Sequence, residues 1–356
     1  MSQPCSVCSI TTSTMRTCGR CGVRAYCGVG CQKADWGRHK NICKKNKFKI
    51  VTLEGRGTAV VATEIIEAGA EVYEEEPVMI VSVPSSVEEA RIRLREDYQE
   101  EWGNQSPETF RTKVCHVLVE KAVTTLGELE QRSYRAMFDK TDPKTDMGIF
   151  LTNALPLGSY NLMGVFPIIN RINHSCLPNC HVHWDKDTRK AVVHVTSRLD
   201  VGSELTISYL DILTKTPGKQ DRQTYLKHHF YFICNCVLCS LTGSQLEEDD
   251  KVRMEAKDSV SQLKESKSIE TSISQLEKLY KCFSAVPYSP STQWGFYASG
   301  FRLYAKSGSM EKAQACLDKA LGFLKGCKGR GSEEFRLLEK ESKVVFNDTN
   351  TLSRIC

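Results

Sequence analysis

The sequence has no long apolar run. Its longest uncharged apolar stretch is residues 77–83, far short of the about 20 residues that a membrane helix needs, so no spanning segment is expected. It also lacks the opening of a secretory signal: Met1-Ser-Gln-Pro-Cys-Ser-Val-Cys8 has no basic region followed by an apolar stretch. No acylation or prenylation pattern is visible, although the last residue is Cys356. Without a secretory signal, cysteines are expected as thiols or metal ligands in the cytoplasm and/or nucleus, where disulfides stay reduced. Disorder is excluded by composition, since 40% of residues are apolar and 26% charged. The 356 residues suffice for two or three domains of roughly 150 residues each, and for a core that needs no staples. Charge is uneven: residues 1–50 hold ten Lys/Arg against one Asp, leaving −4 for the rest of a chain whose net charge is +5. Such a start raises the question of nucleic acid. Metal-bound thiolates would cancel part of that charge, so a solvated surface is the favoured reading and DNA is not an expected partner.

Cysteine is what the sequence has in excess, with 17 residues, seven of them between Cys5 and Cys43. The first 43 residues read as four ligand pairs: Cys5-x2-Cys8, Cys18-x2-Cys21, Cys27-x3-Cys31 and His39-x3-Cys43. Closely spaced pairs present two side chains to one metal from a tight turn. Eight soft ligands serve two tetrahedral ions, and thiolate with imidazole selects zinc. So few apolar residues are not expected to fold alone, so the metal supplies folding energy. A second cluster, Cys234-x-Cys236-x2-Cys239, supplies only three ligands, and tetrahedral zinc wants a fourth. Cys176 is the preferred fourth, with Cys180 as its rival. Asn173-His174-Ser175-Cys176 also suggests a nucleophile and base, but residues this close in extended chain rarely reach that geometry.

Between the clusters, residues 48–53, 59–62 and 71–74 read as strands, broken by Gly55-Arg56-Gly57 and Gly69. Helices are predicted over 87–102, 109–126 and 129–138, with Tyr134 and Phe138 as core. Apolar strand residues from Val165 lead into Asn173. After residue 241 strand character is lost, and helices are predicted over 246–264, 272–283, 292–306, 309–326 and 332–346. Residues 304–313 resemble the step between two helices of a TPR-like repeat.

The first 43 residues resemble the MYND zinc finger, in which Tyr26-Cys27 opens the third pair and Gln32-Lys33 leads through Trp36 to the histidine. The resemblance implies interleaved ligation: Cys5, Cys8, Cys27 and Cys31 on one zinc; Cys18, Cys21, His39 and Cys43 on the other. Both sets are closed, so both ions are structural. Further along, Asn173-His-Ser-Cys-x-Pro-Asn179, Gly202-x-Glu-Leu-Thr-x-x-Tyr209 and Cys234-x-Cys-x2-Cys239 resemble a SET domain with its post-SET zinc. The whole resembles the SET-and-MYND (SMYD) protein-lysine methyltransferases.

That resemblance implies S-adenosylmethionine and three structural Zn2+ ions, with Cys176, Cys234, Cys236 and Cys239 on the third. Tyr209 would be the catalytic residue. Asn173 and His174 would contact the amino-acid and adenine portions of the cofactor, Arg56 (with Gly57) its carboxylate end, and Asn153 its methionine part. Phe232 would stack on adenine. The implied fold is α+β: a β-rich SET fold with an N-terminal MYND finger, a helical insert, a post-SET zinc site and a C-terminal helical, TPR-like region. The expected domains are 1–47 MYND, 48–83 SET N-terminal part, 84–149 insert, 150–219 SET core, 220–241 post-SET and 242–356 C-terminal helices. Many relatives place the Gly-Arg-Gly strand before MYND; here MYND comes first. Glu54 stands where relatives often carry lysine, Leu155 where they tend to have Phe, and Phe230 where they often have a channel Tyr. Leu155 and Phe230 imply a more apolar substrate channel, which would admit more than one methyl per lysine. Expected partners are a protein lysine, histone or non-histone, and a Pro-rich segment on MYND; no membrane is expected, and a monomer is the default. The alternative function is a non-catalytic MYND adaptor or corepressor.

Overall fold

The computed structural model describes residues 5–347 except 9, 87, 88, 90–105, 140, 142, 159 and 160. The helix expected over 87–102 therefore lies outside the described residues, as does Cys356. In chain order the strands are β1 (Arg16–Thr17), β2 (Ala25–Tyr26), β3 (Phe48–Leu53), β4 (Gly57–Ala62), β5 (Glu71–Glu75), β6 (Met79–Ser82), β7 (Leu155–Pro156), β8 (Leu162–Val165), β9 (Asn173–His174), β10 (Cys180–Asp185), β11 (Lys190–Val195) and β12 (Thr206–Ile207). The helices are α1 (Val29–Ile42), α2 (Pro107–Thr124), α3 (Glu128–Arg135), α4 (Asp146–Asn153), α5 (Lys219–Phe230), α6 (Gly243–Glu265), α7 (Ile269–Ala285), α8 (Pro290–Lys306), α9 (Met310–Lys328) and α10 (Glu333–Asn347). No described helix is long and apolar enough to cross a membrane.

Contacts divide the chain into two compact units. The first comprises Met1–Val61, Glu74–Asn173 and His183–Ala191. Its finger pairs β1 with β2 antiparallel, Arg16 opposite Tyr26, and hangs Cys31, Trp36 and His39 on α1. Strands β3 and β4 pair across a turn at Gly55 and Gly57, with φ of +69° and +67°, a conformation that glycine adopts without steric cost. Strand β8 is the centre of a three-stranded sheet, paired antiparallel to β6 (Met79 opposite Val165) and to β7 (Leu155 opposite Gly164). That sheet packs on α2, α3 and α4 through Met79, Val81, Val119, Val123, Tyr134, Ile149 and Phe150. Helix α2 starts where Ser106 Oγ accepts the Thr109 N–H and Pro107 takes the first turn.

Two expectations are corrected here. Tyr134 is fully buried, but Phe138 is 58% exposed: α3 has ended at Arg135, so Phe138 lies beyond the helical period that was to bury it. The apolar run from Val165 is not a strand. β8 stops at Val165 and Ile169–Arg171 forms a 3-10 turn. Pro167 has no N–H for a ladder, and Asn170 Oδ1 accepts the Phe166 N–H at 2.6 Å.

The same turn is held by Glu75, whose carboxylate accepts the N–H groups of Ile168 (3.0 Å) and Ile169 (2.8 Å). Burial pushes this carboxyl up from 4.5 to about 7, against the two hydrogen bonds and Arg171. A folded pKa above the unfolded one means that the folded state binds the proton more tightly. The associated stability is complete below 4.5 and is lost as pH rises to about 7. Glu75→Gln should therefore flatten the pH dependence of urea unfolding in that window relative to wild type. Parallel pH profiles for the two proteins would refute it.

The second unit comprises Ala62–Tyr73, His174–Val182 and Val192–Cys356. Ile66 bridges Leu199 antiparallel, and the Ala62 N–H donates to the Ser203 carbonyl at 2.9 Å. Its main core lies among α6 to α10, where Val252, Val260, Leu279, Phe283, Tyr297, Phe301, Leu317 and Leu324 pack together with Ile212 and Leu213. These helices begin and end within a few residues of the predicted ranges. The TPR-like step is the turn from α8 to α9, at Gly308 with φ +78°.

Candidate active site and metal centres

Twelve side chains converge in three groups of four: Cys5, Cys8, Cys27 and Cys31; Cys18, Cys21, His39 and Cys43; Cys176, Cys234, Cys236 and Cys239. Within each group the ligand atoms lie within 4.8 Å of one another. A tetrahedral zinc with bonds of about 2.3 Å sets its sulfurs about 3.8 Å apart. The observed spacings are 3.6 Å for Cys8–Cys27, 3.5 Å for Cys27–Cys31, 3.7 Å for Cys18–Cys43 and 3.5 Å for Cys176–Cys239. The donor sets thus fit three zinc ions in size and chemistry.

The finger's second site shows how its histidine is prepared. Tyr26 Oη donates to Asp35 Oδ2 at 2.7 Å. With its one hydrogen used, the hydroxyl must accept from His39 Nδ1, 2.9 Å away. The tautomer follows: Nδ1 carries the hydrogen, and Nε2, 3.3 Å from Cys21 Sγ, presents a lone pair to the metal. Burial, then Arg24, lowers the His39 pKa, which keeps the ring neutral as a ligand must be. Burial and the Asp35 hydrogen bond push Tyr26 upward, so its hydroxyl stays protonated.

In the third cluster four crowded thiols share protons unevenly. Cys236 is lowered chiefly by hydrogen bonding from Cys176, and Cys176 is raised in return by hydrogen bonding to Cys234. A divalent ion replaces those protons and removes the conflict. The rival ligand Cys180 is not in the group. Burial pushes its thiol up to about 12, as for an inert core cysteine.

The SET-like motifs of the second unit meet at Asn179. Its Nδ2 donates to the Glu204 carbonyl (2.9 Å) and its Oδ1 accepts the Thr206 N–H (2.8 Å), while the Ser175 N–H donates to the Ile207 carbonyl at 3.0 Å. This stitching sets His174 beside Tyr209: the Tyr209 N–H donates to His174 Nδ1 at 3.0 Å and the rings lie 5.3 Å apart. Because Nδ1 accepts, Nε2 bears the hydrogen and faces Cys176 Sγ at 3.3 Å. Phe232 lies 6.1 Å from the His174 ring, and Phe230 lies 5.0 Å from Tyr209. One imidazole therefore links a zinc ligand, the Tyr209 backbone and an aromatic face.

In the first unit, Asn173 Nδ2 donates to the carbonyls of Thr58 (3.1 Å) and Arg56 (3.4 Å), tying it to the Gly-Arg-Gly turn on which Arg56 and Gly57 are exposed. Asn153 ends α4, its Nδ2 donating to the carbonyls of Phe138 and Ile149, both at 2.7 Å. With the amide hydrogens used on backbone, what its side chain offers a ligand is the oxygen. Leu155 is half-buried at the start of β7.

The sequence reading has Asn179 within a motif but without a role, and it misses Gln223 and helix α5. Gln223 clamps the backbone of Cys234 from both sides, accepting its N–H at 3.1 Å and donating to its carbonyl at 2.6 Å. The signal for α5 was present: Pro217-Gly218 followed by Asp221, whose carboxylate accepts the Gly218 N–H at 3.2 Å. Helix α4 was likewise announced by Thr145, whose Oγ1 accepts the Gly148 N–H at 2.8 Å.

Residues 57–210 match the SET domain family and residues 5–43 the MYND finger family. The chain is 26% identical over 269 residues to the histone-lysine N-methyltransferase ASHR1 of Arabidopsis thaliana, covering 68% of this chain and 48% of that protein. It is 26% identical over 300 residues to human histone-lysine N-methyltransferase SMYD1 (79% and 55% covered) and 26% identical over 278 residues to human SMYD3 (74% and 58%). It spans about half the length of the curated relatives it matches. A MYND finger followed by a SET domain, with zinc-type cysteine clusters and a C-terminal helical region, defines a SET-and-MYND protein. The chain carries both of those domains, with the MYND finger first, and is similar to proteins of that kind.

Proposed function

We propose that this protein is an S-adenosylmethionine-dependent protein-lysine N-methyltransferase with Tyr209 as its catalytic residue. The observation that carries the reading is the Tyr209–His174–Phe232 arrangement, in which the Tyr209 N–H donates to His174 Nδ1 at 3.0 Å beside two half-buried phenylalanines. Bound S-adenosylmethionine supplies an electrophilic sulfonium methyl group. A target lysine would have to lose its proton to solvent first, so that its nitrogen presents a lone pair to that methyl group. The chain's contribution is alignment and exclusion of water. Phe232 offers a face for a purine beside the buried His174, Asn173, Asn153 and Arg56 offer polar groups for an amino-acid moiety, and the Tyr209 hydroxyl orients the amine. Apolar Leu155 and Phe230 favour a neutral lysine by desolvation. The finger's part is recruitment: Trp36 is 44% exposed, edge-on to His39 at 5.8 Å, an aromatic face suited to Pro-rich segments. A cytoplasmic and nuclear distribution accords with the thiol-rich composition.

The test is transfer of label from radiolabelled S-adenosylmethionine into histones and a cell lysate. Wild type should label a protein band and Tyr209→Phe should lose roughly 100-fold, the scale of removing one well-placed polar group from a transition state. No label, with no cofactor binding by calorimetry, would sink the proposal and favour a non-catalytic adaptor.

A further inference from the structure

Helix α5 carries a charged side chain that the chemistry above does not use. Arg222 is fully buried, and only its Nη1 is partnered: it donates to the Pro217 carbonyl and lies 4.0 Å from Asp250 Oδ1. Its Nε and Nη2 have no hydrogen-bond partner among the described residues. Leaving two donors of a buried cation unmatched is costly where nothing compensates. One turn along α5, Leu226 is also fully buried and packs in a cluster with Cys176, Cys234, Leu238 and Cys239. Residues four apart share a helix face, so the orphaned side of the guanidinium belongs to the face that covers the thiols.

The third cluster needs such a partner. Four thiolates around one divalent ion carry two surplus negative charges, in a site where Cys176, Cys234 and Cys239 are buried. The cluster's known donors do not reach every sulfur: His174 Nε2 serves Cys176 (3.3 Å), the Cys236 N–H serves Cys234 (3.5 Å) and the Cys239 N–H serves Cys236, which leaves Cys239 as the sulfur that none of these donors serves.

We infer that Arg222 is the counter-charge of the third zinc centre, a positioning residue whose unmatched N–H groups donate to the Cys239 thiolate. Two incomplete inventories then complete each other: the orphaned donors find an acceptor, and the surplus charge of the tetrathiolate finds a cation. Arginine suits the task because its charge is permanent and its fork offers two donors on one side. This role is independent of the reaction proposed above.

The experiment follows zinc leaving the full chain, with excess EDTA as competitor and a chromogenic chelating dye as reporter, in wild type, Arg222→Met and Arg222→Lys. Arg222→Met should release one of three equivalents about 10–100-fold faster, the usual scale for loss of an outer-shell partner. The two finger equivalents should be unchanged. Arg222→Lys, which keeps the charge, should recover most of the difference. Release of all three equivalents at the wild-type rate in Arg222→Met, or equal rates for Met and Lys, would overturn the assignment. A crystal structure of the unmutated, zinc-loaded chain decides the matter if Arg222→Met fails to fold: a guanidinium nitrogen within hydrogen-bonding distance of Cys239 Sγ is expected, and a guanidinium turned away from all four sulfurs refutes it.

Discussion

Cys176→Ala should bind two zinc ions per chain in place of the three for which the structure provides donor sets, whereas Cys180→Ala should bind three. The two cysteines are four residues apart and both are buried, so the comparison isolates ligation from packing. Cys176 is in a group of four converging ligands, 3.5 Å from Cys239. Without it, three thiolates remain at a site whose stability comes from a closed tetrahedral set, worth about 10–16 kcal/mol for structural zinc near neutral pH. The consequences extend along the chain. His174 Nε2 loses the sulfur it faces, and the Cys234–Cys239 segment loses the anchor that follows Phe230 and Phe232. Metal content by mass spectrometry of the purified chain provides the number. Under the methyltransferase reading, cofactor binding by calorimetry should weaken at least tenfold. Three equivalents of zinc in Cys176→Ala would show that the fourth ligand lies elsewhere.

Why the metal centres were legible and much of their support was not follows from range. Ligand pairs such as Cys5-x2-Cys8 advertise themselves because a metal's geometry forces short spacing. The interleaving of first with third pair came from likeness to a known finger, since spacing alone allows several partitions. Tyr26 and Asp35, which set the His39 tautomer, carry no spacing signature: their role exists only once β2 and α1 are folded together. Asn179 was quoted as part of a motif, yet its double hydrogen bond to residues 204 and 206 is a long-range pairing that local pattern cannot express. Regular amphipathic period made the C-terminal helices readable to within a few residues. At 165–172 the same apolar content misled, because Pro167 and the side chains of Asn170 and Glu75 outvote strand propensity there. Arg222 illustrates the hardest case. An arginine on a polar-looking helix reads as solvated surface, and only the packing of α5 reveals it as fully buried.

A second buried arginine provides the other large effect. Arg253 lies in α6 with no exposed surface, its Nε donating to Asp249 Oδ2 at 2.8 Å and its Nη2 to Asp249 Oδ1 at 3.0 Å. Nη2 also donates to the Pro287 carbonyl at 3.0 Å, and the guanidinium stands 4.6 Å over the Tyr288 ring. Asp249→Ala should destabilise the second unit by about 3–5 kcal/mol in urea unfolding, because it strands a cation in the core. The loss measures the unpaired charge and not the worth of the pair, since burying both ions already cost most of what their attraction returns. The double variant Asp249→Leu/Arg253→Met should therefore recover at least half of the single loss, with methionine filling the space over Tyr288 and only the Pro287 carbonyl left without its donor. A single-variant loss below about 1 kcal/mol, the level of an exposed pair, would mean that water reaches the site. A double variant as unstable as the single one would mean that the bridge to Pro287, and not charge balance, holds α6 to the segment after α7. The first outcome would also weaken the case for Arg222, because Asp249 is part of its electrostatic surroundings and both arginines depend on the same exclusion of water at the start of α6.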